Sequence, residues 1–493
     1  MRPFRLIVLA GLTGALWVRA EPSERNYWPV VVEQTAPASA GGRTVEAWQG
    51  GGPLFFGKKL EGGGRAGGFR PFYVWQENSA DHTADTDFLY PLLTHRESEI
   101  DRRWSLFNLV NFAGPRGAAA GGTRHFDVWP FYFSRDTGNP ATSYHAVFPL
   151  HGAMLDRLGY SRISWTLFPV YARFEHAGVI RTSVPWPFVR IVSGDGNHGF
   201  ALWPLFGWEA KAGVYDNRFY LWPLIYRNES RVGTPVPDVK FGVLPFYTRE
   251  TSAAARSENF LWPFFGYTHR IAPYRYDETR WLWPFLVQGR GDDRRVNRWG
   301  PVYTHSNIKG DDKRWVLWPL FRQEQWTETG LVQTKTQVVY FLYWSLRQRS
   351  AARPALPAAQ KTHLWPLFSY WDNGAGRRQL QLLSPFEVFF PDNEPVRRAY
   401  TPLLALYRFD RRPAGDVRVS LLWDAITWRR SASGREFHLG PLLRITSGPD
   451  RRRVALGGGL IGLRRDPGAS AWKWFLFDFS RKPDKRNLAA ASP

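Results

Sequence analysis

Asn217-Arg218-Phe219-Tyr220-Leu221-Trp222-Pro223-Leu224-Ile225-Tyr226-Arg227-Asn228-Glu229-Ser230 is the stretch on which the fold turns. Phe219 to Tyr226 is an unbroken apolar and aromatic block with polar residues on both sides. A block of that length is strand-sized, and its aromatic and branched composition suits a strand better than a helix. Its two alternating sets, Phe219/Leu221/Pro223/Ile225 and Tyr220/Trp222/Leu224/Tyr226, are both apolar. A strand with one wet face would alternate with polar residues, so the pattern predicts cover on both faces.

The centre of the block returns along the chain. Leu-Trp-Pro followed by Leu or Phe occurs at Trp203-Pro204, Trp222-Pro223, Trp262-Pro263, Trp283-Pro284, Trp318-Pro319 and Trp365-Pro366. Looser copies stand at Trp28-Pro29, Trp129-Pro130 and Trp186-Pro187, and others keep only the proline, as at Pro149, Pro245, Pro301, Pro385, Pro402 and Pro441. The spacing is roughly 19 residues, just under the usual range of repeat units. These tryptophans and prolines are therefore read as structural repeat residues that act jointly. Linkers such as Gly291-Asp292-Asp293 and Gly310-Asp311-Asp312 hold turn formers, and long helical stretches are missing.

The expected fold is all-β, an antiparallel meander of about 20–24 repeated strands, with closure into a large β-barrel as the leading form. A β-propeller or a solenoid of hairpins is the alternative. Proline donates no ladder hydrogen bond, so it either weakens each strand at one level or marks a bend. Gly50 to Gly68, Ala113 to Gly122 and Ser350 to Gln360 read as extended loops.

Composition points to location more than to chemistry. Arg2 and Arg5, an apolar run from Leu6 to Trp17 and the small residues around Val18-Arg19-Ala20 read as a secretory signal over 1–20. A single repeat-built domain over 21–480 and a disordered tail over 481–493 would follow. The chain has no cysteine, which removes disulfides, thiolate metal sites and the cysteine of a lipoprotein anchor. The formal charge is +22. After export, the polyanions available to it would be outer-membrane lipid or lipopolysaccharide, and nucleic acid is not expected.

No HExxH, Walker A or GxSxG stands in the sequence, and no residue is assigned a catalytic, cofactor or metal role. Gly62 to Gly67 has dinucleotide-loop spacing without the surrounding βα pattern. His145 and His151 lack ligand-like support, and Asp195 to Gly199 reads as a plain turn.

The repeat resembles that of bacterial signal-peptide proteins built from Trp-Pro-Leu-Phe units, a family that implies no activity. The layout of strands and turns is more loosely similar to outer-membrane β-barrels. Trp472 to Phe479 resembles their last strand, although Ser480 to Pro493 follows it. The leading expectation is a non-enzymatic outer-membrane barrel with a structural or transport role. A soluble periplasmic or surface scaffold that binds a partner or polyanion is the alternative, and an exported polysaccharide-acting enzyme stands third.

Overall fold

The computed structural model describes residues 23–477 apart from 38–42, 61–62, 118–121, 392, 414, 433, 449–451 and 466–467. The expected signal over 1–20 and the tail over 481–493 lie outside the described residues. Among the described residues the chain forms 45 β-strands of 4–8 residues, all in antiparallel pairs, and two short helices. The all-β meander of the sequence reading is the observed class.

The strand count is about twice the expected 20–24, and the reason lies in the apolar block itself. Phe219 to Tyr226 is not one strand. Tyr215–Tyr220 runs up to Leu221, the chain reverses through Leu221-Trp222-Pro223-Leu224, and Ile225–Ser230 runs back. Leu224 N–H closes the turn on Leu221 C=O at 2.7 Å. The bend, not the mid-strand position, is where the proline sits, and the peptide bond before it is cis in all six complete copies. Because the block straddles a turn, its two apolar sets never formed the two faces of a single strand.

The chain divides into two compact units. The described residues of the smaller lie within 23–59 and 424–477. In it the hairpin of Ser23–Tyr27 and Val31–Pro37 lies against the segment after Asp424, where Asn26 Nδ2 donates to Asp424 C=O at 2.6 Å and to Thr427 Oγ1 at 3.4 Å. Among the described residues no ladder joins Ser23–Tyr27 to the last strand, Lys473–Leu476, so no hydrogen-bonded seam closes the meander as a barrel.

The larger unit, Leu60–Trp423, runs from the strand Arg65–Phe69 to the strand Val417–Leu421, each strand pairing with the next. Register places one row of buried side chains on a single face. It passes through Val74, Asp87, Asp127, Phe133 and Ala146, then Trp165, Ala172, Ala201 and Gly207, and later His363, Ser369 and Gln381. Phe133, Tyr144, Ala146, Met154, Ile163 and Trp165 form its apolar core cluster. Gly207 belongs to this row for want of space, since a Cβ there would stand 2.4 Å from the Phe219 ring.

A helical segment, Glu394–Ala399 and Thr401–Leu404, interrupts the strands. Asn393 caps the first helix by accepting from Val396 N–H at 3.0 Å. The degenerate repeat proline Pro402 lies in the second helix, so it is not a strand element. Tyr400 OH donates to Tyr90 C=O at 2.5 Å and Arg70 Nε to Arg398 C=O at 2.9 Å, which brings the unit's first hairpins against this segment. Two of the expected loops also differ. Gly50 to Gly68 contains the strand Phe55–Lys59 and most of Arg65–Phe69, and Ala113 to Pro115 ends the strand Val110–Pro115.

Candidate functional site: an exposed apolar rim

Alternate turns lie along the same edge of the larger unit, so every Trp-Pro turn of that unit falls on one edge. The turns are bonded to one another as well as to their own strands. Leu221 N–H donates to Leu205 C=O at 2.6 Å and Trp222 N–H to Pro204 C=O at 2.7 Å. The same link recurs from Leu261 to Phe246 at 2.7 Å, from Leu317 to Val302 at 2.8 Å and from Trp318 to Pro301 at 2.6 Å. Rings follow the ladder: Phe168 and Trp186 stand 5.1 Å apart, Phe188 and Trp203 5.9 Å, and Trp203 and Trp222 5.8 Å. Offset and tilted ring pairs at these distances attract one another modestly beyond their area burial.

The rim stays in contact with solvent in the free chain. Trp222, Trp262, Trp283 and Trp318 are each about half-exposed, and so are Leu205, Phe246 and Phe264. Leu221, Leu261 and Leu317 are 53%, 52% and 52% exposed and hold φ of +46°, +46° and +48°. A leucine in the left-handed region is costly by about 1–2 kcal/mol, and glycine or asparagine would be cheaper there. These side chains gain little by burial in their own chain, so the fold alone does not account for them.

One row below the turns, on the face opposite the buried row, the paired residues are Leu202, Phe206, Tyr220, Ile225, Val243, Tyr247, Phe260 and Phe265 in successive strands. The row resumes as Leu286, Trp299, Tyr303, Val316, Phe321, Val338, Tyr343, Leu364 and Phe368. The next row out is mixed: Trp208, Arg218, Arg227, Phe241, Arg249, Glu258 and Tyr267. Its arginines pair with carboxylates, as in Arg218–Asp216 at 2.6 Å and Arg249–Glu258 at 3.8 Å. The apolar band therefore consists of the turns and one row of strand residues.

The far edge has different chemistry. Leu158-Gly159, Ala177-Gly178, Lys309-Gly310 and Thr329-Gly330 turn there with positive φ at both residues, the two-residue hairpin geometry that favours glycine at its second position. Asp292 and Asp293 form a two-residue turn on this edge with positive φ at Asp293, whereas Asp311 and Asp312 open a strand, so the two acidic pairs are not equivalent. Asp312 bonds His305 at 2.7 Å and Arg314 at 3.0 Å.

The buried face carries the polar groups that the sequence pattern did not single out. Glu209 receives Arg181 at 2.6 Å and Tyr215 OH at 2.9 Å, and burial together with Glu209 pushes the Tyr215 phenol up to about 12. Under the helical segment, His363 Nδ1 bonds Ser369 Oγ at 2.7 Å and Ser369 Oγ bonds Ser384 Oγ at 2.7 Å. Burial, with the cations Lys361 and Arg397 nearby, lowers His363 to about 4. Arg70 is lowered to about 9 by burial and by Arg408. Thr401 Oγ1 donates to Glu387 at 3.1 Å, and burial raises the Glu387 carboxyl.

The structure brings the tryptophans and prolines of the repeat together as the rim. It leaves His145 and His151 apart, each with its own hydroxyl partner, Tyr132 OH at 3.0 Å and Thr166 Oγ1 at 2.9 Å. Asp195 and Gly196 form a turn in which Lys211 pairs with Asp195 at 2.6 Å. Among the described residues no cluster of three or more metal-ligating side chains occurs, and no helix is long and apolar enough to cross a membrane. No protein-family profile matches the chain, and no curated protein matches it.

Proposed function

We propose that the protein is a structural component of the bacterial cell envelope that seats its Trp-Pro rim in one leaflet of a lipid membrane. The observation that carries this reading is the pair of costs borne by Leu221, Leu261 and Leu317, which are exposed and also held in the left-handed region. The reversal sets this backbone conformation but does not require leucine there, and a costly side chain that the turn does not require points to function. Hydrocarbon contact would repay the exposed side chains, since burial of apolar surface is favourable by about 25 cal/mol per Å².

The dimensions favour one leaflet over a full span. A turn plus one strand row is about 10 Å deep, close to the ~5–10 Å that interfacial elements reach and well short of the ~30 Å core. Strands that cross a membrane need about 9–11 residues, and these have 4–8. Tyr220, Tyr247, Trp299, Tyr303 and Tyr343 stand where amphipathic rings meet headgroups. A net charge of +22 complements an anionic surface.

Flotation with vesicles of anionic and zwitterionic lipid tests the proposal. The protein should float with both, more strongly with the anionic set at low salt. Leu221→Asp with Leu261→Asp and Leu317→Asp should leave it at the bottom of the gradient while its strand content stays intact. Undiminished flotation of the triple variant would contradict the reading and favour a scaffold that binds through its charges alone.

A further inference from the structure

The exposed face of the larger unit carries a hollow of ≈ 390 Å³ lined by His198, Phe206, Trp208, Ala210, Asp216, Arg218 and Tyr220. Register explains it. Phe206, Trp208 and Ala210 follow one another on the exposed face of one strand. Ala210 pairs with His198 on one side and Asp216 on the other, while Trp208 pairs with Arg218 and Phe206 with Tyr220. Trp208 lies at the centre of this patch, and the methyl group of Ala210, between His198 and Asp216, leaves the end beside it low.

We propose that this hollow binds a pyranose ring, supplied either by a glycosylated lipid headgroup or by a free glycan. A pyranose has one face of C–H bonds and a perimeter of hydroxyls. Trp208 offers an indole that is 41% exposed, steadied by the edge-on His198 ring at 5.4 Å. Tyr220 stands at the rim side, so the sugar's apolar face meets aromatic surface on two sides. The polar perimeter is charge-balanced. Arg218 grips Asp216 through Nε at 3.0 Å and Nη2 at 2.6 Å. That fixes both planar groups and leaves further guanidinium donors and carboxylate lone pairs for hydroxyls. A free arginine would favour phosphate. An arginine already neutralised by its own carboxylate favours a neutral, hydroxyl-rich ligand.

The test is saturation-transfer NMR of detergent-solubilised protein with the methyl glycosides of glucose, galactose and mannose. At least one should receive saturation, strongest at the C–H protons of one ring face. Trp208→Ala should weaken binding about tenfold or more, in keeping with the loss of a stacking face. Ala210→Leu should abolish it by filling the low end beside Trp208 without removing any proposed contact, and circular dichroism of this variant should match the parent. No transfer from any of the three glycosides, or unchanged transfer with Ala210→Leu, overturns the proposal. Vesicles with and without a glycosylated diacylglycerol separate the sources: a sugar-dependent gain that Ala210→Leu removes assigns the headgroup, and free-glycoside binding without that gain assigns a soluble glycan. The glycoside measurement needs no membrane, so failure of the leaflet reading leaves it intact and the reverse also holds.

Discussion

The backbone N–H of Trp222 donates to the carbonyl of Pro204 at 2.7 Å, one repeat earlier in the chain. This bond makes the repeat more than a succession of hairpins, because neighbouring turns on the rim share backbone hydrogen bonds beyond the strand ladders. The indole of Trp222 needs little burial to be held in place, and it rests against Trp203 at 5.8 Å while staying half-exposed.

Truncation should therefore distinguish rim from core. Trp222→Ala is expected to cost about 0.5–1.5 kcal/mol, the worth of a ring pair. Trp165→Ala, in the buried cluster, should cost about 3–5 kcal/mol. Denaturant unfolding of both variants gives the comparison, and equal costs would mean that the rim is packed in a way its exposure does not reveal.

The buried row leaves no room for a side chain at Gly207. Gly207→Ala should destabilise by about 1–3 kcal/mol, the usual cost of overpacking. The Cβ would meet Phe219, so the cost should shrink in a Phe219→Leu background. A double-mutant cycle measures that coupling, and strict additivity would contradict the register drawn for these strands.

The sequence carried the class of the fold, because aromatic, branched blocks between polar linkers are legible without a structure. It left the turn undecided. Leu221-Trp222-Pro223-Leu224 has none of the Gly, Asn or Asp that ordinarily announces a hairpin, so the proline read equally as a bend or as a position within one strand. The helices at Glu394–Ala399 and Thr401–Leu404 were masked by Pro402, which matches the repeat spacing. The hydrogen-bonded run from His363 to Ser384 and the hollow over Ala210 depend on strand register, which brings distant positions together and leaves no local pattern.

Acid should loosen the helical segment. His363 is neutral in the fold, lowered to about 4 by burial and by Lys361 and Arg397, whereas the unfolded chain takes up its proton near pH 6.5. Between those values the unfolded state binds more protons, so stability falls as pH drops from about 6.5 towards 4, by up to ~3 kcal/mol. His363→Asn should flatten that limb of the unfolding profile. A parent whose stability is unchanged across this window would contradict the burial drawn for the imidazole.

Relief of backbone cost should separate folding from membrane binding. Leu221→Gly removes a side chain held at φ +46°, so stability should stay level or rise by up to about 1 kcal/mol. Vesicle affinity should fall at the same time, since the apolar contact is lost. A variant that loses stability and keeps its affinity would assign the leucine to the fold rather than to lipid.

The depth of the two edges in a bilayer tests the central claim most directly. The chain has no cysteine, so Leu221→Cys at the rim and Gly213→Cys in a far-edge turn each accept one nitroxide label. Oxygen and nickel-chelate accessibility in vesicles then gives the depth of each label. The account predicts the rim label within the hydrocarbon of a single leaflet and the far-edge label in water on the same side. A rim label in water, or labels at opposite faces of the bilayer, would contradict it.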